Sequence, residues 1–171
     1  FDTDAELIPL LTPEDEEEMN NEKLPASLPI LPLRNTVLFP GVVIPISAGR
    51  DKSIRLINDA NNDDKIIGVV AQKNEGDEDP TKNDIHKIGT VAKILRVLKM
   101  PDGNITVILQ GKKRFEIDAV TSEKPYINAL VKEVEEKRPG VHDSEFLAIL
   151  ESIKELAIQI IKESPNIPTE A

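Results

Sequence analysis

The sequence predicts a mainly β fold of the α+β kind, a curled and mostly antiparallel β-barrel with one short helix and a C-terminal amphipathic helix packed on it. Three observations carry this. Short apolar runs punctuated by Pro and Gly follow one another from Leu28 to Val131. Met100-Pro101-Asp102-Gly103-Asn104 has hairpin-turn chemistry between two apolar stretches. Ser144 to Glu163 sets Phe146, Ile149, Leu150, Ile153, Leu156, Ala157, Ile160 and Ile161 at helical spacing.

Residues 1–27 read as an acidic extended arm, 28–140 as the β domain and 141–171 as the terminal helix. Nine acids and one base in residues 1–23 place −8 of the chain's −10 there, leaving −2 for the rest. The run Glu14-Asp15-Glu16-Glu17-Glu18 cannot offset its ordering entropy by burial, so the acids read as a solvated leader. Leu7-Ile8-Pro9-Leu10-Leu11 is apolar enough to dock on a surface. Removing residues 1–23 is expected to leave the fold intact.

Leu28-Pro29-Ile30-Leu31-Pro32-Leu33 reads as an edge strand, because its prolines cannot donate ladder hydrogen bonds. Phe39-Pro40-Gly41 puts Pro and Gly at the centre of a type II turn. Val42 to Ile46 follows as a strand that Pro45 marks as an edge or bulge. Ile54, Ile57 and Ala60 predict one short helix capped by Asp51 or Ser53. Ile66 to Ala71 has the length of a buried strand, and Asn74 to Asp84 is a loop. Residues 88–110 form a long hairpin, and Arg114 to Val120 and Ile127 to Val131 are further strands. The total is about seven.

Composition narrows the function classes. Apolar content of 39% suffices for a core, but with 3% aromatics it must be aliphatic. Without cysteine there is no disulfide or Cys-zinc site in these 171 residues. No apolar run has membrane-spanning length, so a cytoplasmic protein without membrane contact is expected. The chain opens on Phe1 rather than Met, as expected of a piece of something longer.

Catalytic motifs fail one by one. Gly111-Lys112 lacks both the upstream Gly and the following Ser or Thr of a phosphate loop, and reads as a solvated hairpin end. His86 and His142 form no ligand cluster, and the acids of the 74–84 loop lack calcium-loop spacing. Lys52-Ser53 are helix neighbours that point apart, so they make no nucleophile pair. Lys112-Lys113-Arg114 is a small basic patch typical of a strand end.

Several segments together resemble the N-terminal domain of Lon-type ATP-dependent proteases. They are Leu31-Pro32-Leu33-Arg34-Asn35-Thr36-Val37-Leu38-Phe39-Pro40-Gly41, Gly49-Arg50-Asp51-Lys52-Ser53-Ile54 and Val70-Ala71-Gln72-Lys73. Gly89-Thr90-Val91-Ala92-Lys93-Ile94-Leu95, Leu98 to Gly103, Gly111 to Arg114 and Ser164 to Pro168 complete the series. The resemblance runs from about Leu28 to Glu170 and departs at His86, where an aromatic is more usual. It implies a PUA-like β-barrel ahead of a helical region, an AAA+ ATPase and a serine–lysine protease. ATP and magnesium would belong to that parent, a homohexamer that degrades abnormal and regulatory proteins. No position here matches the parent's Walker motifs or its catalytic Ser and Lys.

The resemblance makes this a binding module for unfolded or degron-bearing proteins that also supports hexamer assembly, with no cofactor or metal of its own. Its candidate substrate-binding residues are Phe39, Pro40, Val42, Met100 and Pro101, with Arg50 and Lys52 placed to steer acidic segments. A PUA-like RNA-binding module is the alternative, but near-neutral charge and five aromatics argue against it. A substrate receptor resembling cereblon would need zinc-binding cysteines.

Overall fold

The computed structural model describes residues 23–101, 103–134 and 143–163. Their elements are β1 (Ser27–Leu33), β2 (Val43–Ala48), α1 (Asp51–Asn62), β3 (Ile66–Ala71), β4 (Ile88–Lys99), β5 (Ile105–Ser122), β6 (Ile127–Glu133) and α2 (Ser144–Glu163). Residues 1–22 of the expected arm and the expected boundary at 140/141 lie outside the described residues. The chain divides between Val134 and Glu135 into two compact units.

In the first unit β1 pairs with β3, β3 with β4, β4 with β5, β5 with β6, and β6 back with β1. The pairings therefore close into a circuit, and β2 adds to it outside, along β5. Only β1 and β3 run parallel. Register shifts in the β4–β5 and β5–β6 ladders mark bulges, which sharpen twist and let a sheet curl. This is the mostly antiparallel curled fold that the apolar runs predict.

Two apolar clusters sit on opposite faces of the same strands. Leu31, Leu33, Ile67, Val69 and Ile94 join the first, which α1 covers with Leu56, Ile57 and Ala60. Leu28, Ile30, Val70 and Val91 turn to the second, around Phe115. Burial on both faces explains why β1 and β3 are near-continuous apolar runs rather than alternating ones. Each fully buried Leu or Ile contributes about 1.5–3 kcal/mol.

Four expectations need correcting. β1 is an interior strand, not an edge. Its first half pairs with β6 through Ile30, and its second half with β3 from Ile30 onward. The Val131 amide donates to the Ala26 carbonyl and the Gln72 amide to the Leu33 carbonyl. Alternation then turns the nitrogens of Pro29 and Pro32 away from the strand that each half pairs with, so no ladder bond is lost. Second, 105–110 and 114–120 are one strand, β5, so six strands are present among the described residues. Third, Gly111-Lys112 is therefore mid-strand and not a hairpin end. Fourth, the α1 N-cap is Arg50, whose carbonyl accepts from the Ile54 amide at 2.9 Å without a side-chain cap.

In the second unit, α2 begins at a side-chain cap: the Phe146 amide donates to Asp143 Oδ1 at 3.1 Å. Glu145 in its first turn and Lys162 in its last complement the helix dipole. No helix among the described residues is long and apolar enough to cross a membrane.

Candidate functional site

The turn that carries Phe39 is held from three directions. The Val42 amide donates to the Phe39 carbonyl at 3.2 Å, and Gly41 takes φ 78°, which only Gly adopts freely. Gly41 donates to the Gly111 carbonyl at 2.9 Å and Gly111 to the Val42 carbonyl at 2.8 Å. Buried Thr90 donates its hydroxyl to the Leu38 carbonyl at 2.6 Å. Leu38 is buried in the first cluster. Phe39 beside it is 61% exposed, with Val37 at 58% and Val42 at 42%. A large aromatic is thus presented to solvent by a turn whose backbone has little freedom.

Met100 and Pro101 occupy a different turn. The Met100 amide donates to the Asn104 carbonyl at 2.9 Å, and Gly103 at φ 86° donates back to the Met100 carbonyl at 3.1 Å. Met100 is 47% exposed. The ladder between β2 and β5 runs from Val43↔Gln110 to Ala48↔Ile105, so the two turns stand at its opposite ends. At about 3.4 Å per residue they are roughly 20 Å apart. The five apolar candidates therefore form two patches.

Between the two turns lies the outer face of β2, β5 and β4. Ile44, Ile46, Val107, Leu109 and Val97 turn to the core. Alternation then sends Val43, Pro45, Ile108 and Leu98 outward. Ile108 lies between Pro45 and Arg96, and Thr106 between Ser47 and Leu98. This gives a strip between the two turns in which apolar Val43, Pro45, Ile108 and Leu98 are interspersed with polar Gln110, Ser47, Thr106 and Arg96. The strip's middle was readable in principle, since the outward residues of alternating strands are normally polar.

Arg50 and Lys52 lie elsewhere, at the start of α1, and the chain's own acidic loop engages both. Arg50 Nη2 donates to Gln72 Oε1 at 2.8 Å and to the Asp77 carbonyl at 3.2 Å. Burial, with Arg34 nearby, lowers the Arg50 pKa. Lys52 Nζ reaches Asp79 at 2.6 Å. The Asp77 carbonyl also accepts from Arg34 at 3.3 Å and from Gln72 at 2.7 Å. Gln72, buried at the hub of this loop, is absent from the sequence-derived candidates. Its signal was a single amide ending the apolar run 66–71. Arg50 also lines a groove of about 650 Å³ with Arg34, Thr36 and Ser47.

Residues 27–170 match the family described as the ATP-dependent protease La (LON) substrate-binding domain. The chain belongs to that family. This Lon domain is 82% identical over 171 residues to a Lon protease of Flavobacterium johnsoniae, covering 100% of this chain and 21% of that protein. It is 50% identical over 167 residues to a Lon protease of Cytophaga hutchinsonii, covering 98% of this chain and 20% of the relative. It therefore spans about a fifth of the curated relatives it matches. Among solved structures, the N-terminal domain of Mycobacterium avium complex Lon protease shares the fold at a TM-score of 0.64. That match has 23% identity and covers 80% of this chain and 68% of that one. The Lon N-terminal domain protein from Xanthomonas campestris gives 0.54, at 19% identity over 81% and 83% of the two chains.

Proposed function

We propose that this Lon domain captures unfolded or degron-bearing polypeptides along the strip between Phe39 and Met100, and that it supports assembly of a homohexameric parent. The parent is a cytoplasmic ATP-dependent serine–lysine protease, and ATP and magnesium act in its ATPase region. Gly111-Lys112 supplies no phosphate cradle, because the Gly111 amide is already bonded to Val42. The domain's contribution is binding.

The observation that carries the reading is a solvent-facing Phe39 on a turn fixed by Gly111 and Thr90. Fixing the turn removes ordering cost that a mobile aromatic would meet on contact with a partner. A chain in extended form can lie along the strip with its apolar residues on Phe39, Ile108 and Met100. Arg50 and Lys52, held by the 74–84 loop, contribute steering only if that loop yields.

Fluorescence titration with a denatured test protein checks this. A single strip must overcome lost translational freedom and the ordering of a flexible chain, so Kd should be on the order of 100 µM or weaker. F39A should weaken binding several-fold, and salt should matter little for a mainly apolar contact. Unchanged binding in F39A would remove the reading. Tight RNA binding with a steep salt slope would favour the nucleic-acid alternative.

A further inference from the structure

We propose that an extended polypeptide segment adds as a strand to the free edge of β2, in a groove that meets the start of α1. The inference rests on the reading that the domain holds unfolded chains, and it assigns how their main chain is held. Among the described residues β2 pairs with β5 alone and stands outside the circuit of the other strands. The Gly111 amide donates to the Val42 carbonyl, which fixes the parity of the β2–β5 ladder. Ile44, Ile46 and Ala48, opposite Leu109, Val107 and Ile105, therefore direct their main-chain groups to β5. The amides of Val43 and Ser47, and the carbonyls of Val43, Pro45 and Ser47, turn to the open edge.

A groove of about 650 Å³ lies beside that edge, lined by Ile46, Ser47 and Ala48 and by Leu31, Pro32 and Leu33 of β1. β6 pairs with β1 only as far as Ile30, so the Pro32 carbonyl, turned away from β3, is open as well. Where the groove meets α1, the helix has no side-chain cap. Ser53 also lines it there, and its hydroxyl, on a residue 8% exposed, bonds to no other described residue. Main chain supplies the amides and carbonyls that all these groups lack. Arg34 and Arg50 in the lining are matched by Asp51 and Glu78, so an uncharged backbone fits. Main-chain bonds give affinity without reading sequence, which suits a domain that meets many different chains. A second copy of β2 is a poorer occupant. Pro45 at the centre of the edge would leave each copy a donor short.

Hydrogen exchange on the full chain tests this, with an acetylated and amidated Leu-Thr repeat of about eight residues as the probe. In the free chain the Val43 and Ser47 amides should exchange fast, while those of Ile44 and Ile46 are protected. With peptide at about nine times Kd, Val43 and Ser47 should slow about tenfold, since roughly a tenth of the chains stay free. Methylating alternate peptide nitrogens should weaken binding for one set and spare the other, because only every second amide faces β2. S47P removes an edge amide and no β5 bond, and should weaken binding about fivefold. Should that variant misfold, the methylation pattern still decides. Equal losses for both methylated sets, or a Ser47 amide still fast at saturation, would overturn the proposal. If F39A nonetheless weakens binding of the same peptide, the strip reading survives that failure; if no peptide binds, both fall. Ser47 protection that grows with protein concentration alone would assign the edge to a second copy instead.

Discussion

Gly111 in the middle of β5 packs its α-carbon against the backbone carbonyl of Phe39. A Cβ at this position would overlap that carbonyl oxygen and lie 3.2 Å from Leu38 Cγ. Backbone cannot yield as a flexible side chain can, so the glycine is what lets the Phe39 turn lie flat on the sheet. G111A should cost about 1–3 kcal/mol through overpacking, read as a lower urea midpoint. G76A, in a loop with only Asn74 Oδ1 nearby at 3.5 Å, should stay within about 0.5 kcal/mol. A G111A midpoint equal to wild type would contradict this account of the turn.

Phe115 organises the second core cluster. Its Cζ lies 2.8 Å from where a Cβ would sit on Gly68 and equally close to the corresponding point on Gly89. Two strands bare their backbones so that one ring fits between them, and Phe115 is fully buried. F115A should destabilise by about 3–5 kcal/mol, with a smaller loss for F115L. Chemical unfolding of both variants checks the order.

Much of the fold was legible because local chemistry and tertiary role agree. Ile66–Ala71 is a strand at the predicted bounds, and the turns at Phe39–Val42 and Met100–Asn104 form on their own Pro and Gly. What misled is instructive. Pro29 and Pro32 signal an edge only if both neighbours pair along the whole strand, and β1 hands over from β6 to β3 at Ile30. Gly111 looks like a strand end until Phe39, seventy-two positions earlier in the chain, is seen to require it. Phe39 and Met100 were both identifiable as candidates. That they face solvent roughly 20 Å apart follows from register, which one strand's sequence does not contain.

The 74–84 loop should loosen in acid. Asp84 accepts the Thr81 hydroxyl at 2.7 Å and the Thr81 amide at 2.9 Å, and these bonds lower its pKa from 3.8. A lowered folded-state pKa means stabilisation that is full above the unfolded value and is lost as pH falls through the folded one. Hydrogen exchange at the Thr81 amide, corrected for intrinsic rate, should therefore show protection that declines below about pH 4. In D84N that pH dependence should disappear. Persistence of the same acid transition in D84N would assign it to another group.

Binding along the strip should depend on the length of the bound peptide. Its two ends are about 20 Å apart, and an extended chain advances about 3.4 Å per residue. A peptide of about four residues can touch Phe39 or Met100 but cannot span both. One of about eight residues can. Affinity should therefore step upward between those lengths instead of rising evenly with added apolar area. Phe39 and Met100 share no contact at this distance, so F39A and M100A should have nearly additive effects on the longer peptide. Each single variant should flatten the step, because one end then has no anchor. On a hexamerising scaffold, several strips can hold one long polypeptide, and effective concentration can raise avidity about 100-fold or more without new contacts. The scaffold should magnify the difference between long and short peptides. A length series by fluorescence anisotropy, on the single domain and on the scaffold, measures both effects. A smooth increase with no step, unaffected by F39A, would place the binding surface elsewhere on the barrel.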